Sequence, residues 1–220
     1  MAGEAWKSGT IIGLTVLLAG CGSGSSSAGA AQYPVDDALS TFYQTSQTYT
    51  LHASSGGTTY TLVVKFTPGP QTTFLGQQYL SLVLADTITS NGSVIASGGK
   101  TVLFLTGPFR EFGGVLPGGV YEVDHAQHTL PDLANPGDAG PLDLQDYFSD
   151  STLNTEIATG SRTWSLAAVT ETTALFCIED QDDLGGSPES EGDCEIIDER
   201  GNVTGLQITL TLGATTLVFK

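Results

Sequence analysis

The chain has 220 residues, of which 24 are acidic and 7 are basic, and its formal net charge is −17. Nucleic-acid binding depends on clustered lysine and arginine, so this charge argues against a nucleic-acid partner. It argues equally against docking on anionic lipid through a basic face. Hydrophobic residues make up 40% of the chain, which is ordinary for a globular protein that is large enough to bury a core.

The N-terminal segment has the order of an export signal: a short polar start, the apolar run Ile11–Leu18, and then small residues. The apolar stretch is about ten residues, whereas a transmembrane helix needs about 20. The sequence Leu18-Ala19-Gly20-Cys21 resembles the lipobox of bacterial lipoproteins. A transmembrane anchor or an ordinary export signal is the alternative, but neither accounts for a cysteine at this place.

The resemblance implies that the sulfur of Cys21 receives a diacylglycerol first, and that cleavage between Gly20 and Cys21 follows. The new amine of Cys21 then receives an acyl chain such as palmitate. Several acyl chains on one residue anchor a protein stably to a membrane. Gly22, rather than aspartate, follows the cysteine, and in Gram-negative lipoproteins this favours the outer membrane. The expected location is the bacterial cell envelope, with the membrane as a partner through the lipid anchor. The periplasmic face and the surface face both stay open.

The chain therefore divides into a signal peptide (1–20), a lipidated cysteine with a flexible Gly/Ser tether (21–32), and a β-rich domain (33–220). A coil of the tether's length reaches roughly 20 Å. The β-rich domain resembles no family. An order of strand, glycine turn, strand and strand occurs twice in it, which raises the alternative of two related halves, about 33–124 and 150–220.

The β-rich domain is rich in residues that favour strands and turns over helices. Segments 58–66 and 205–212 alternate apolar and polar residues, as strands with one buried face do. The predicted fold class is all-β, an antiparallel β-sandwich-like domain of about ten strands with long loops. The predicted strands lie near 47–53, 58–67, 78–89, 93–97, 100–106, 119–124, 162–169, 173–179, 194–198, 203–212 and 215–219.

Turns and breaks separate the predicted strands. Glycine turns are expected at 54–57, 91–92, 200–202 and 213–214, and Pro68-Gly69-Pro70 is expected to end the second strand. The Gly/Pro-rich segment 107–119 and the polar segment 125–150 break the pattern, with a short helix expected within 142–153. Another short helix is expected over 36–43, capped by Asp36 or Asp37.

Three cysteines occur in the chain. If Cys21 carries lipid, Cys177 and Cys194 remain, and in an oxidising compartment such a pair is expected to form a disulfide. Two free thiols are the alternative.

The acidic segment 179–199 is the most unusual part of the domain. Asp180, Asp182 and Glu191 match acidic positions of the helix-flanked calcium loop, but Leu184 stands where that loop needs an oxygen ligand. A looser oxygen site for Ca²⁺, with Asp180, Asp182, Asp183 and Glu191 as candidate ligands, is the alternative to a solvated hairpin loop. The hairpin loop is favoured, and no cofactor is expected otherwise.

Two other groups of residues have a functional and a structural interpretation. His125 and His128 are spaced as a metal-binding pair can be, but a pair alone does not form a site. Four aromatic residues near the start of the domain suit either sugar stacking or core packing, and core packing is favoured. They are Tyr33, Phe42, Tyr43 and Tyr49.

The sequence predicts an envelope-anchored lipoprotein with a non-enzymatic structural or binding domain, and it assigns no catalytic residue. A carbohydrate- or Ca²⁺-binding module is one alternative, and a hydrolase of unrecognised type is the other. An envelope protein or a glycan is the expected kind of partner besides the membrane.

Overall fold

The computed structural model describes residues 31–105, 110–184, 189–212 and 215–220. The lipobox, most of the tether and the predicted turn at 213–214 lie outside these residues. Within the described ranges, no helix combines the length and the apolar character needed to cross a membrane.

One α-helix, α1, precedes twelve β-strands in the described part of the chain, and α1 spans Val35–Tyr43. The strands are β1 Gln47–Ser55, β2 Thr58–Phe74, β3 Gln77–Ser90, β4 Ser93–Leu105, β5 Arg110–Leu116, β6 Val120–His125, β7 Ala139–Phe148, β8 Glu156–Ala168, β9 Thr173–Asp182, β10 Glu189–Asp198, β11 Val203–Leu212 and β12 Thr215–Phe219. A short 3₁₀ turn, Pro117–Gly119, joins β5 to β6.

The strands form an antiparallel meander in which each strand pairs with the next one along the chain. The amide of His52 donates to the carbonyl of Lys220 at 2.9 Å, and the amide of Lys220 donates back at 3.1 Å. These two bonds join β1 to the chain end that follows β12, so the curled sheet closes on itself. The antiparallel all-β class is confirmed. The strands number twelve rather than about ten, and a sandwich-like arrangement is not confirmed.

Helix α1 confirms the helix expected over 36–43. Pro34 occupies the N-cap position and forms no side-chain cap, so the predicted capping by Asp36 or Asp37 is wrong. The two aspartates lie in the first turn instead, where negative charge suits the helix dipole. The buried side of α1 carries Val35, Ala38, Leu39 and Phe42.

Two hydrophobic clusters fill the inner face of the sheet, and α1 contributes to both. The first cluster joins Phe42 to residues of β1, β2, β3, β11 and β12. The second joins Val35, Ala38 and Leu39 to residues of β8, β9 and β10. The inner residues of these strands alternate with outward ones, as the period of two predicts.

The predicted breaks at 107–119 and 125–150 are wrong in part, because β5 and β7 run through them. The helix expected within 142–153 is also wrong, since β7 reaches Phe148. The inner face of β7 carries Asp143, Gln145 and Tyr147, so an apolar alternation is missing from this strand. In β5, Gly113 has a φ of +126°, and a Cβ there would overlap the carbonyl oxygen of Glu122. The glycines of β5 therefore allow neighbouring strands to approach closely, and they do not mark a loop.

Strand β2 also continues through Pro68-Gly69-Pro70, where it was predicted to end. Pro68 pairs with Leu82 and Gln71 pairs with Leu80, so β2 holds one extra residue at this point. A bulge of this kind removes the ladder position that proline cannot fill. The hydroxyl of Ser81 donates to the carbonyl of Pro70 at 2.8 Å and closes the bulge.

The expected disulfide between Cys177 and Cys194 is present. The two residues are directly opposite each other on β9 and β10. Because Phe176 belongs to the inner core and side chains alternate along a strand, the bridge lies on the outer face of the sheet.

Replacing both cysteines by serine (Cys177→Ser with Cys194→Ser) should lower the free energy of unfolding by about 2–4 kcal/mol. The bridge closes a loop between residues 17 apart, and it restricts the unfolded chain accordingly. Urea unfolding of the oxidised protein and the double variant measures the difference. Reduced wild type should behave as the double variant does; equal stability of all three samples would contradict the prediction.

Candidate functional site

A buried guanidinium lies on the inner face of the sheet. Arg162 of β8 is 5% exposed and contacts carboxylates of three other strands. Its Nε and Nη2 donate to the two oxygens of Asp143 at 2.8 and 2.6 Å. Nη2 also donates to Asp124 Oδ2 at 2.6 Å, and Nη1 lies 2.6 Å from Glu111 Oε2. The side chain thereby connects β5, β6, β7 and β8.

The environment shifts the titration of this cluster. Burial raises the pKa of Asp124 well above its usual value, and the neighbouring Glu111 and Glu122 raise it further, while Arg162 opposes the shift. Burial likewise raises the pKa of Asp143 against the hydrogen bonds from Arg162. Burial alone would lower the pKa of Arg162, but the surrounding carboxylates raise it well above the usual value, so the guanidinium stays charged.

A second polar contact lies beside this cluster. Gln145 of β7 is fully buried, and its Nε2 donates to Glu122 Oε1 at 2.9 Å and to Asp180 Oδ2 at 3.3 Å. Within the described ranges, neither Gln145 Oε1 nor Asp124 Oδ1 has a hydrogen-bond partner. Each of Glu111, Glu122 and Asp124 offers one carboxylate oxygen, and these three oxygens lie within 4.8 Å of one another.

Two of the cavities formed by the described residues open on the inner face. The smaller one has a volume of about 40 Å³ and reaches Glu111 and Asp143 from the exposed side chain of His128. The larger one has a volume of about 280 Å³. Its walls are mostly apolar and come from β2, β3 and β11, with three carboxylates among them. The apolar side chains include Leu62, Val64, Phe66, Leu84, Ile208 and Leu210, and the carboxylates belong to Asp86, Glu191 and Asp193.

Burial also raises the pKa of two further carboxyls on the inner face. The pKa of Asp86, in the wall of the larger cavity, is raised by burial. Glu195 of β10 is 1% exposed, and burial raises its pKa to about 8. Within the described part of the chain, Glu195 Oε2 has no hydrogen-bond partner. The nearby phenol of Tyr43 has its pKa raised well above the usual value, by burial first and then by the negative charge of Glu195.

The structure describes all four acidic residues that the sequence suggested as calcium ligands. Asp180 and Glu191 are directly opposite each other on β9 and β10. Asp182 accepts a hydrogen bond from the amide of Leu184, and Asp183 accepts one from the amide of Thr159, both at 2.8 Å. The potential metal-binding groups of three in the described residues include none of these four. Residues 185–188 of the loop lie outside the described ranges.

The two histidines of the sequence analysis lie in different surroundings. His125 Nδ1 is 3.5 Å from Asp146 Oδ2, and His125 is exposed. His128 borders the smaller cavity. The early aromatic residues pack in the core, as expected. Tyr33 and Phe42 are each 1% exposed, and the Phe42 ring lies 5.1 Å from that of Tyr43.

No protein-family model, no curated protein and no solved structure matches this chain.

Sequence reasoning missed the cluster around Arg162, although β6 carries a signal for it. Its inner side chains, Glu122 and Asp124, are polar, while its outer side chains, Tyr121 and Val123, pack against Phe74 and Tyr79. The alternation is that of an ordinary strand with the two faces reversed. A period of two shows that the faces differ, but it does not show which face is inside.

Replacing the buried acid Glu195 by its neutral isostere should stabilise the protein above neutral pH. The carboxyl titrates near 4.5 when unfolded and near 8 when folded, so the folded state holds the proton more tightly. The free energy of unfolding of the wild type therefore falls as the pH rises from about 4.5 to about 8. Above that range the buried carboxyl is ionised, and the whole loss of stability is present. Glu195→Gln removes this dependence and should gain about 2–4 kcal/mol at pH 9.

Urea unfolding between pH 4 and pH 9 measures the effect. Glu199→Gln, at an exposed position just after the same strand, should follow the wild-type curve. If the free energies of unfolding of Glu195→Gln and the wild type differ by the same amount at every pH, the buried carboxyl does not titrate as described.

Proposed function

We propose that this protein is a lipid-anchored binding domain of the bacterial cell envelope that holds a small ligand inside its closed sheet. The 280 Å³ cavity carries the proposal. Protein interiors contain few voids larger than a water molecule, whereas ligand pockets begin at about 300 Å³. A cavity of about 280 Å³ is larger than an ordinary packing void and lies just below the usual range for ligand pockets, so it suits a small organic molecule.

The lining of the cavity favours a ligand with an apolar body and a cationic or hydrogen-bond-donating group. The walls from β2, β3 and β11 offer apolar contact, and the carboxylates of Asp86, Glu191 and Asp193 accept hydrogen bonds. Phe66 is the one aromatic residue in the described lining. A sugar, which stacks on broad aromatic faces, suits this lining less well than an alkylamine does.

A binding function is favoured over hydrolysis because the carboxylates near His128 are held by a guanidinium. Glu111 and Asp143 border the smaller cavity, and both are bound by Arg162. Arg162 donates to both oxygens of Asp143 and lies 2.6 Å from Glu111 Oε2, so these oxygens are already engaged where a hydrolase would need them to position an attacking water. The smaller cavity, at about 40 Å³, has room for little more than a water molecule.

The proposed location rests on the lipobox at Leu18–Cys21 and on the short Gly/Ser tether that follows it. The Cys177–Cys194 bridge supports export, since disulfides persist mainly in oxidising compartments.

Filling the larger cavity should abolish ligand binding. Val64 is buried on the inner face of β2 and lines the cavity, whereas its neighbour Val63 points outward and is 37% exposed. Hexylamine should bind the wild-type chain and the Val63→Phe variant, and it should fail to bind Val64→Phe. NMR titration of the ligand signals measures binding, with hexanoate as the anionic counterpart, which should bind at least about tenfold more weakly. Equal binding to both variants would place the ligand elsewhere.

Removing the lipidated thiol should release the protein from the membrane. Cys21→Ser leaves no sulfur for the diacylglycerol, so the variant should move to the soluble fraction after cell lysis. Ser25→Ala, within the same tether, should stay with the membranes. If Cys21→Ser fractionates with the membranes as well, Cys21 is not the anchor.

A further inference from the structure

Asp86 of β3 lies in the wall of the larger cavity, between one residue of β2 and one residue of β4. It pairs with Val64 on the first strand and with Gly98 on the second, and all three residues line the cavity. Directly paired residues share a face of the sheet. The next inner pair along β2 and β3 is Phe66 with Leu84, which lines the cavity as well. An acidic group and an apolar wall thus adjoin each other within one cavity.

Gly98 gives the Asp86 carboxylate its room. A Cβ added at Gly98 would lie 3.0 Å from Asp86 Oδ1 and 3.6 Å from Oδ2, so the carboxylate lies over the glycine. Gly98 is not among the glycines with a positive φ, and alanine can adopt its backbone conformation without strain. The glycine therefore supplies space beside the carboxylate rather than an unusual backbone conformation.

The other two carboxylates of the cavity differ from that of Asp86. Glu191 is exposed, and both Glu191 and Asp193 take part in further interactions. Asp86 accepts a hydrogen bond from its own backbone amide, and burial raises its pKa by disfavouring the ionised form. A cation in the cavity would offset this effect of burial, because an opposite charge within about 4–6 Å favours the ionised carboxyl.

The lining also distinguishes between kinds of cationic head group. Quaternary ammonium ligands are recognised by cages of aromatic rings. The described lining holds one aromatic side chain, that of Phe66. A primary ammonium group instead donates hydrogen bonds, and carboxylate oxygens accept them. The cavity is suited to this second kind of recognition.

We propose that Asp86 selects the ligand of the larger cavity, and that it selects primary alkylamines over neutral alcohols and quaternary ammonium compounds. The ammonium group lies beside Gly98 and donates to the Asp86 carboxylate, and the alkyl chain lies against Phe66 and Leu84. This inference rests on the proposed ligand-binding function of the cavity. It adds which of the three carboxylates holds the ligand and which head group fits.

Calorimetric titration of the purified full chain with hexylamine and with hexan-1-ol separates the head-group contact from occupancy of the cavity. Asp86→Asn should weaken hexylamine binding by about tenfold or more and change hexanol binding by less than about threefold, because only the amine loses a charge-assisted hydrogen bond. Gly98→Ala should act in the same direction, since its Cβ takes the space beside Asp86 Oδ1. Glu171→Gln removes an exposed acid between β8 and β9 and should bind both ligands as the wild type does.

The variants distinguish a wrong role for Asp86 from a wrong function for the cavity. If Asp86→Asn binds hexylamine as tightly as the wild type while Val64→Phe does not bind it, the cavity holds the ligand and Asp86 does not select it. If the wild type binds neither hexylamine nor hexanol, the proposed function is wrong and the role of Asp86 is wrong with it.

A measurement on the wild type alone covers the case in which Asp86→Asn does not fold. Hexylamine should bind at least about tenfold more tightly than hexyltrimethylammonium, which has the same charge and chain but no N–H to donate. In NMR spectra of the protein, hexylamine should shift the amide signals of Asp86 and Gly98 more than hexanol does. Equal affinity for the two cations, or shifts confined to 191–193, would overturn the role of Asp86.

Discussion

Four consecutive strands of the closed sheet depend on one guanidinium. Arg162 binds the carboxylates of Glu111, Asp124 and Asp143, so β5, β6, β7 and β8 are joined through their side chains as well as through their backbone ladders. Deleting one partner of a buried ion pair costs about 3–5 kcal/mol, because it leaves an uncompensated charge. Here one side chain compensates three partners. The polar inner face of these strands is therefore tolerable only while Arg162 is in place.

The polar inner face has a consequence on the outside of the sheet. Since Glu122 and Asp124 point inward, the apolar residues of β6 point outward and need a cover. The far end of the β2–β3 hairpin supplies it: Phe74 stacks on Tyr121 with ring centres 6.3 Å apart, and Tyr79 lies 5.3 Å from Phe112. The bulge after Pro68 falls where β2 enters this part of the hairpin. The length and irregular register of β2 and β3 are thus linked to the buried guanidinium. The polar partners of the guanidinium point inward, and the hairpin covers the apolar residues that consequently point outward.

Sequence reasoning succeeded where burial follows hydrophobicity. Strands β2 and β11 were predicted from the alternation of Leu, Val and Ile. Helix α1 was predicted over 36–43 from an aspartate cap that the structure does not contain, although the helix itself is present. The pairing of Cys177 with Cys194 followed from the expected compartment. Strands β5 and β7 were missed because glycine and buried polar residues replace the apolar alternation. The Arg162 cluster was missed because its members are spread along the chain from Glu111 to Arg162 and only the strand register brings them together.

A backbone bridge fixes the chain just before α1 begins. Tyr33 and Ala134 exchange two backbone hydrogen bonds of 2.9 Å, immediately before α1 begins. The last turn of α1 packs through Phe42 onto Phe66, which also lines the larger cavity, with ring centres 4.8 Å apart. A pull on residues before Tyr33 would therefore act on the Tyr33–Ala134 bridge before it reached the helix. The bridge therefore fixes the start of the described chain before α1 adds Phe42 to the packing around the larger cavity.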